Sequence, residues 1–425
     1  MGVMGEMWAA VYEGKLPNSD VPIYFIEYDE FFGRKGLYGE DSGSFNDNDN
    51  RFIFFSKAVM QLAKKLQFRP DVIHANDWHT APISILLNTS YAFDSNFKNT
   101  ASLLSIHNLE HQGKFYKGAM DVLGIGWEHF TVNELEEYDG VNFLKGGIVH
   151  ADAINAVSKK YAKEIQTSEF GFGLQSLINK YEYKLFGVLN GVDYDEWSPL
   201  VDKFIPFNFD IDNLEGKEKC KVELQKEFNL PQRSEVPMIG FVGRLAEQKG
   251  IGLIASCFDK LLEMDIQIVL LGTGEKWAES FFKEKAEQYP EKFASYIGYD
   301  NIIAHKIEAA SDMFLMPSLF EPCGLNQIYS LRYGTIPIVR ATGGLDDTIE
   351  NYDSYHKSGT GFKFYDATST ALLSTVQWAV DTYYNDKDGL RALRTNAMNK
   401  RYEWANAAQG YENIYHHIIN GRLNS

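Results

Sequence analysis

Short runs of apolar, β-rich residues alternate along the chain with longer stretches whose apolar positions recur at helical spacing. In the first part the runs are Val21–Tyr28, Asp71–Asp77, Ala101–Asn108, Ala151–Ser158 and Lys184–Asp193. Several are apolar through the middle rather than strictly alternating, which predicts strands covered on both faces. Between them, Arg51–Gln67 sets Phe52, Phe55, Val59, Leu62 and Leu66 at helical spacing. After a polar, irregular segment over residues 198–213, a second series follows: Val236–Gly243, Ile266–Gly272, Phe293–Tyr299, Asp312–Pro317 and Gly334–Arg340. Helical patterns again intervene, with Ile254, Cys257, Phe258 and Leu261 on one face and Trp277, Phe281 and Phe282 on the next. Arg401–Ile419 predicts a final aromatic-rich helix. This alternation predicts an α/β fold with a doubly wound parallel sheet in each of two domains joined near residue 200. The first 20 residues lack the strand and Gly-rich turn with which such a domain usually opens.

Composition narrows the partners more than the fold. A length of 425 residues suits two or three domains of about 150 residues each. With 41 basic and 58 acidic residues the net charge is −17, a field that repels nucleic acid and anionic lipid, so neither is expected as a partner. Three cysteines, Cys220, Cys257 and Cys323, exclude a disulfide scaffold and fit a reducing compartment. No apolar run approaches the roughly 18 residues of a membrane helix. The opening MGVMGEMWAAVYEGK lacks the basic start of a signal peptide, so a cytoplasmic location is expected, or the plastid stroma in a plant.

The chemistry-bearing residues gather at strand ends. In GFVGRLAEQKG, Arg244 and Lys249 follow a buried strand on the turn toward a helix. Ligands of open α/β sheets bind beyond the carboxyl ends of the strands, and two cations there suit a pyrophosphate. The competing reading is a pair of solvated surface cations. In PSLFEPCGLNQ, Glu321 stands at a strand's end before a tight turn marked by Pro322 and Gly324, ahead of a helix starting near Leu325. A carboxylate there can hydrogen-bond sugar hydroxyls or balance developing positive charge, or merely complement a helix dipole. Cys323 has no base near it in sequence and reads as an inert turn cysteine. Gly343 and Gly344 let the backbone approach a phosphate closely, with a plain turn as the alternative. In the first half, DVIHANDWHT places Asp77 and His79, and SIHNLEHQG places His107, Asn108 and His111, at strand ends; LNGVD does the same for Asn190. His107 and His111 could bind metal on a helix with His74 or His79, yet no cysteine cluster or HExxH spacing supports that, and no metal site is expected. No GxxxxGK[ST] loop is present, which argues against a P-loop kinase or ATPase. Cations, a carboxylate and a glycine turn on one side of a cleft, with His, Asp and Asn on the other, suit transfer of a sugar from a nucleoside diphosphate.

The motifs YFIEYDEFFGRKGLYG, DVIHANDWHT, SIHNLEHQG, LNGVDYDEWSP, GFVGRLAEQKG, FLMPSLFEPCGLNQ and TGGLDDTIE, in this order, resemble those of the glycogen and starch synthases, retaining glucosyltransferases of GT-B architecture. The resemblance runs from about Asp20 to the C-terminus. It implies transfer of glucose from ADP-glucose to the non-reducing 4-hydroxyl of an α-1,4-glucan, without a metal or other cofactor. It assigns Arg244 and Lys249 to the departing diphosphate and Glu321 to the transferred glucose, with Cys323, Gly324 and Leu325 beside it. Asp77 and His107 would hold the glucose near its reacting centre, with Asn108 and Asn190 in the same wall, and Tyr299 would stack on adenine. It sets the domains at 1–198 and 199–400, with the last helix, 401–425, returning to the first. Members of the family open with a strand and a K-x-G-G-L turn that has no counterpart here. At about 30 residues per βαβ unit, roughly 60–100 residues of the first domain are expected to be missing, leaving a truncated chain of impaired stability and activity. A non-catalytic relic that binds nucleotide or glucan, and a GT-B transferase with another acceptor, are the competing readings.

Overall fold

The structure, a computed structural model, describes Gly5–Glu40 and Gly43–Leu423. The chain divides into two compact units. The first takes the chain through Ala156, Ala162–Phe186 and the residues from Gly410 onward; the second takes Val157–Tyr161 and Gly187–Gln409. The division therefore falls at Gly187 rather than after residue 198, and the return at Gly410 rather than 401. The physical reason is the packing of the segment after Gly187. Trp197 is sandwiched between His305, 3.6 Å centroid to centroid, and Tyr329, 3.9 Å. Asp202, buried, accepts hydrogen bonds from His305 Nδ1 at 2.8 Å and from the Tyr333 hydroxyl. These contacts tie the expected linker into the second unit.

In the first unit, β1 (Ala10–Lys15) and β2 (Pro22–Glu27) form an antiparallel hairpin. The run Val21–Tyr28 is thus not a member of a parallel sheet, as its apolar pattern predicted. Val21 and Phe25 are exposed, so its apolar residues are not covered on both faces. The sheet of this unit consists of β3 (Val72–Asn76), β4 (Ala101–Ile106), β5 (Ala153–Ala156) and β6 (Leu185–Gly187), in the order β6-β5-β4-β3. β3 and β5 both pair in parallel with β4, whose six residues are all buried. Helices α1 (Asn48–Lys65), α2 (Asp77–Leu87) and α3 (Phe143–His150) accompany it. α1 buries Ile53, Ser56 and Met60 and leaves Leu66, just past its end, exposed.

The second unit carries a six-stranded parallel sheet of β7 (Met238–Val242), β8 (Gln267–Gly272), β9 (Phe293–Ile297), β10 (Met313–Met316), β11 (Ile336–Arg340) and β12 (Phe362–Phe364). The spatial order is β9-β8-β7-β10-β11-β12, the doubly wound pattern in which the chain reverses direction across the sheet between β7 and β10. Intervening helices α4 (Glu215–Glu227), α5 (Ile251–Glu263), α6 (Lys276–Gln288) and α7 (Asn301–Ala310) cover it, with Phe258, Phe282 and Phe293 meeting in the core. α8 (Asn326–Arg332) and α9 (Gly343–Thr348) follow β10 and β11; α10 (Ser369–Asn385) and α11 (Lys387–Asn399) complete the unit. The last helix, α12 (Trp404–Leu423), begins among residues of the second unit and ends among those of the first. Among the described residues no helix is long and apolar enough to cross a membrane.

Candidate active site

In a doubly wound sheet the loops leaving the two strands at the reversal point diverge to opposite faces and open a crevice for ligands. In the second unit those strands are β7 and β10. The loop after β7 carries Arg244, exposed, and a single 3₁₀ turn, Glu247–Lys249. Gly250 then starts α5 with φ +73°, and a Cβ there would collide with the Pro317 carbonyl at the end of β10, so the two loops meet backbone to backbone. Leu319 N–H donates to the Gln248 carbonyl at 2.8 Å, and Gln248 Nε2 donates to the Phe320 carbonyl at 3.3 Å. Gln248 Oε1 in turn accepts from Arg244 Nη2 at 2.8 Å. Across this junction Lys249 Nζ lies 2.6 Å from Glu321 Oε2, and the Ser318 hydroxyl donates to the same oxygen at 3.0 Å. Glu321 is 5% exposed, so the pair is largely withdrawn from water.

The loop after β11 closes on the same carboxylate-bearing turn. Gly344 N–H donates to the Glu321 carbonyl at 3.0 Å. Gly343 has φ +44°, and a Cβ on it would strike that carbonyl; one on Gly344 would strike the Cys323 carbonyl. Gln327 Nε2 donates to the carbonyls of Cys323 and Gly324 at 3.1 and 3.0 Å, and Arg340 Nη1 donates to the Leu319 carbonyl. Gly324 takes φ +69°, and Leu325, partly exposed, precedes α8. Burial, the largest effect, pushes the Cys323 thiol up to about 12 against a hydrogen bond from the Asn190 backbone, leaving it protonated.

In the first unit side chains join the ends of β3 and β4. Asp77, at φ +55°, starts α2, and its Oδ1 accepts the His107 backbone N–H at 2.7 Å. His107 Nε2 reaches Asn76 Oδ1 at 2.9 Å, and Asn108 Oδ1 accepts from Glu110 N–H at 3.0 Å. Burial raises the Asp77 carboxyl above its ordinary value, opposed by His107 and the backbone amides of His107 and Asn108.

Residues 1–180 match the starch synthase catalytic domain, and residues 223–398 match glycosyl transferases group 1. Glycogen synthase 1 of Geobacter sulfurreducens is 52% identical over 423 residues, an alignment spanning 100% of this chain and 84% of that protein. The chain belongs to the glycogen and starch synthase family. A glycogen synthase of Thermotoga petrophila is 44% identical over 406 residues, 95% of this chain and 82% of that protein. Among solved structures, the catalytic domain of starch synthase IV from Arabidopsis thaliana, bound to ADP and acarbose, matches with TM-score 0.89 at 32% identity, covering 97% of this chain and 85% of that one. A sucrose-phosphate synthase from Thermosynechococcus elongatus shares the fold, with TM-score 0.56 at 17% identity over 88% of this chain and 79% of that one. The protein is a GT-B glucosyltransferase of this family.

Within this glucosyltransferase most residues singled out from sequence fall into two groups. Lys249, Glu321, Cys323, Gly324, Gly343 and Gly344 share one hydrogen-bonded junction, with Arg244 attached through Gln248. Asp77, His107 and Asn108 form a second cluster in the first unit. Asn190 belongs to the second unit. The chain passes to the second unit at Gly187, and the Asn190 backbone bonds the Cys323 sulfur. Tyr299 follows the edge strand β9, separated from β7 by β8, and is 84% exposed. His107 and His111 are not on a helix, so they lack the i, i+4 ligand geometry. His74 instead bonds Ser105 Oγ at 2.7 Å and the Tyr415 hydroxyl at 2.9 Å, fastening α12 to the sheet, and His79 lies against Trp78 at 4.0 Å. Ser318 and Gln248 were missed. Both lie within the motifs GFVGRLAEQKG and FLMPSLFEPCGLNQ, but neither carries a charge.

Proposed function

We propose that this glucosyltransferase uses ADP-glucose as donor and extends the non-reducing end of an α-1,4-glucan, with retention at the anomeric carbon. The observation that carries the reading is the placement of Arg244, Lys249 and Glu321 on the loops at the sheet's reversal point. In the transfer, the bond from C1 of glucose to the diphosphate breaks, a bond from C1 to the acceptor oxygen forms, and the acceptor hydroxyl's proton passes to the departing diphosphate. Negative charge grows on the departing diphosphate while positive charge grows at C1. Arg244 and Lys249 would meet the first, and Glu321 the second and the sugar hydroxyls. Lys249 can exchange part of its contact with Glu321 for a phosphate oxygen, because its side chain is 22% exposed while that of Glu321 is 7% exposed.

The reading gives the transfer itself no metal, since the cationic charge at the diphosphate is supplied by side chains. Asp77, positioned by the amides at the end of β4, would orient the glucose together with His107 and Asn108. Tyr299, with its ring exposed, would stack on the adenine. A relative bound to ADP supports the choice of nucleotide. The test is transfer of labelled glucose to glycogen from ADP-glucose and, separately, from UDP-glucose. Incorporation from ADP-glucose at the higher kcat/KM, released by an α-1,4-specific hydrolase, is expected. A preference for UDP-glucose, or label in another linkage, would overturn the proposal.

A further inference from the structure

The first unit holds a group of metal-type ligands that the glucosyl-transfer site does not use. His129 ends a 3₁₀ turn, Trp127–His129; Glu134 stands in the following turn; His150 is the last residue of α3. Glu134 Oε2 lies 2.7 Å from His129 Nδ1 and 3.2 Å from His150 Nε2, and one ligand atom from each of the three residues lies within 4.8 Å of the others. The side chains are 24%, 28% and 11% exposed, so the group is neither open surface nor sealed core.

We propose that His129, Glu134 and His150 bind one divalent transition-metal ion of the Zn²⁺ class. Two imidazole nitrogens and one carboxylate oxygen make a borderline donor set that suits Zn²⁺ and disfavours Mg²⁺ and Ca²⁺, which take oxygen ligands. With metal–ligand bonds of about 2.0–2.2 Å, adjacent ligand atoms of a tetrahedral site stand about 3.3 Å apart, inside the range these atoms already span. Three protein ligands leave a fourth position for water.

The site is held together before any ion arrives. Lys145, on the same helix as His150, donates from Nζ to the Val132 carbonyl at 2.8 Å and to the Glu136 carbonyl, on either side of Glu134. That clamp fixes the Glu134 turn to α3, whose first turn is in turn capped by the Asn142 side chain accepting from Lys145 N–H at 2.9 Å. His150 lies at the C-terminus of α3, the negative end of the helix dipole, which favours a cation. The chain's net charge of −17 has the same sign of effect. Lys184 lies close enough to His150 to act on its charge, but its Nζ donates to the Val149 and Ala151 carbonyls rather than to the ligand group.

Topology separates this group from the transfer site. His150 precedes β5, whereas Asp77 and His107 follow β3 and β4; because these strands are parallel, the two groups lie at opposite ends of the strands. A bound ion would therefore be a structural clip between the segment from Trp127 to Glu134 and the end of α3, not a participant in transfer.

The test uses the full chain, stripped with a chelator and titrated with Zn²⁺ against a chromophoric competitor. One tight equivalent is expected, together with a rise in thermal midpoint on Zn²⁺ addition. His129→Ala/His150→Ala should weaken that equivalent by at least ~10-fold and abolish the thermal shift. His416→Ala/His417→Ala, altering histidines of α12, should leave both intact. Because His129 is on a peripheral turn, His129→Ala alone keeps the test decisive should the double variant fail to fold by circular dichroism. Absence of a stoichiometric equivalent, or Zn²⁺ uptake unchanged in the His129→Ala variant, would overturn the proposal.

Discussion

Lys249 Nζ sits 2.6 Å from Glu321 Oε2, and this ion pair joins the two strand-end loops at which the second sheet reverses its order. Neither partner is interchangeable with a surface charge, because the carboxylate is 5% exposed and receives its remaining support from the Ser318 hydroxyl. Removing the lysine alone strands a buried anion. Lys249→Met is therefore expected to destabilise the protein by about 2–3 kcal/mol. Adding Glu321→Gln should recover part of that loss, so the losses in urea-unfolding free energy of the two single variants, when added, should exceed the loss of the double. Simple additivity would show that the two side chains are not coupled in solution.

Gly343 stands at φ +44° with the Glu321 carbonyl where a Cβ would be. Gly343→Ala should cost about 1–3 kcal/mol through backbone strain and should also shift Glu321. A fall in kcat accompanying the loss in thermal midpoint is expected. A variant with unchanged kcat would separate the glycine turn from the transfer site.

Asp77 has two separable properties, an acceptor oxygen for the His107 amide and a negative charge. Asp77→Asn keeps the acceptor and removes the charge, so it should fold with a near-normal thermal midpoint yet lose kcat by about 10²-fold or more. Asp77→Ala loses both and should lose stability as well. Equal kcat in the wild type and Asp77→Asn would mean that the side chain only joins strand ends.

The pH dependence of stability follows from His74. Burial, with a smaller contribution from His107, lowers its pKa to about 4 from the ordinary 6.5, and burial lowers His79 to about 4 as well. Between these values the unfolded chain binds more protons than the folded one, so stability rises with pH. It is fully present above pH 6.5 and is lost as the pH falls through 4. Thermal midpoints from pH 7 to pH 5 should therefore fall for the wild type and fall less steeply for His74→Gln. Identical slopes would assign the acid sensitivity elsewhere.

Much of the fold could be read from the chain because buried strands such as Ala101–Ile106 and Gln267–Gly272 are apolar throughout and need no partner to be recognised. Hairpin membership of Pro22–Glu27 could not, since an apolar run carries no record of which strand it pairs with. The three residues Phe362–Phe364 are too short to show a period. The boundary at Gly187 depends on Trp197 and Asp202 meeting Tyr329, His305 and Tyr333, more than 100 positions away. At the site, the charged and glycine positions were visible as motif residues. Their uncharged partners Ser318 and Gln248 were set by which loops meet at the reversal point, a property of sheet order rather than of local sequence.

Calorimetric titration of ADP into the wild type and into Arg244→Ala/Lys249→Ala addresses the diphosphate assignment directly. Loss of two charge-assisted contacts should weaken ADP by at least ~100-fold, while circular dichroism reports an intact fold. Undiminished ADP affinity in the folded double variant would contradict the account.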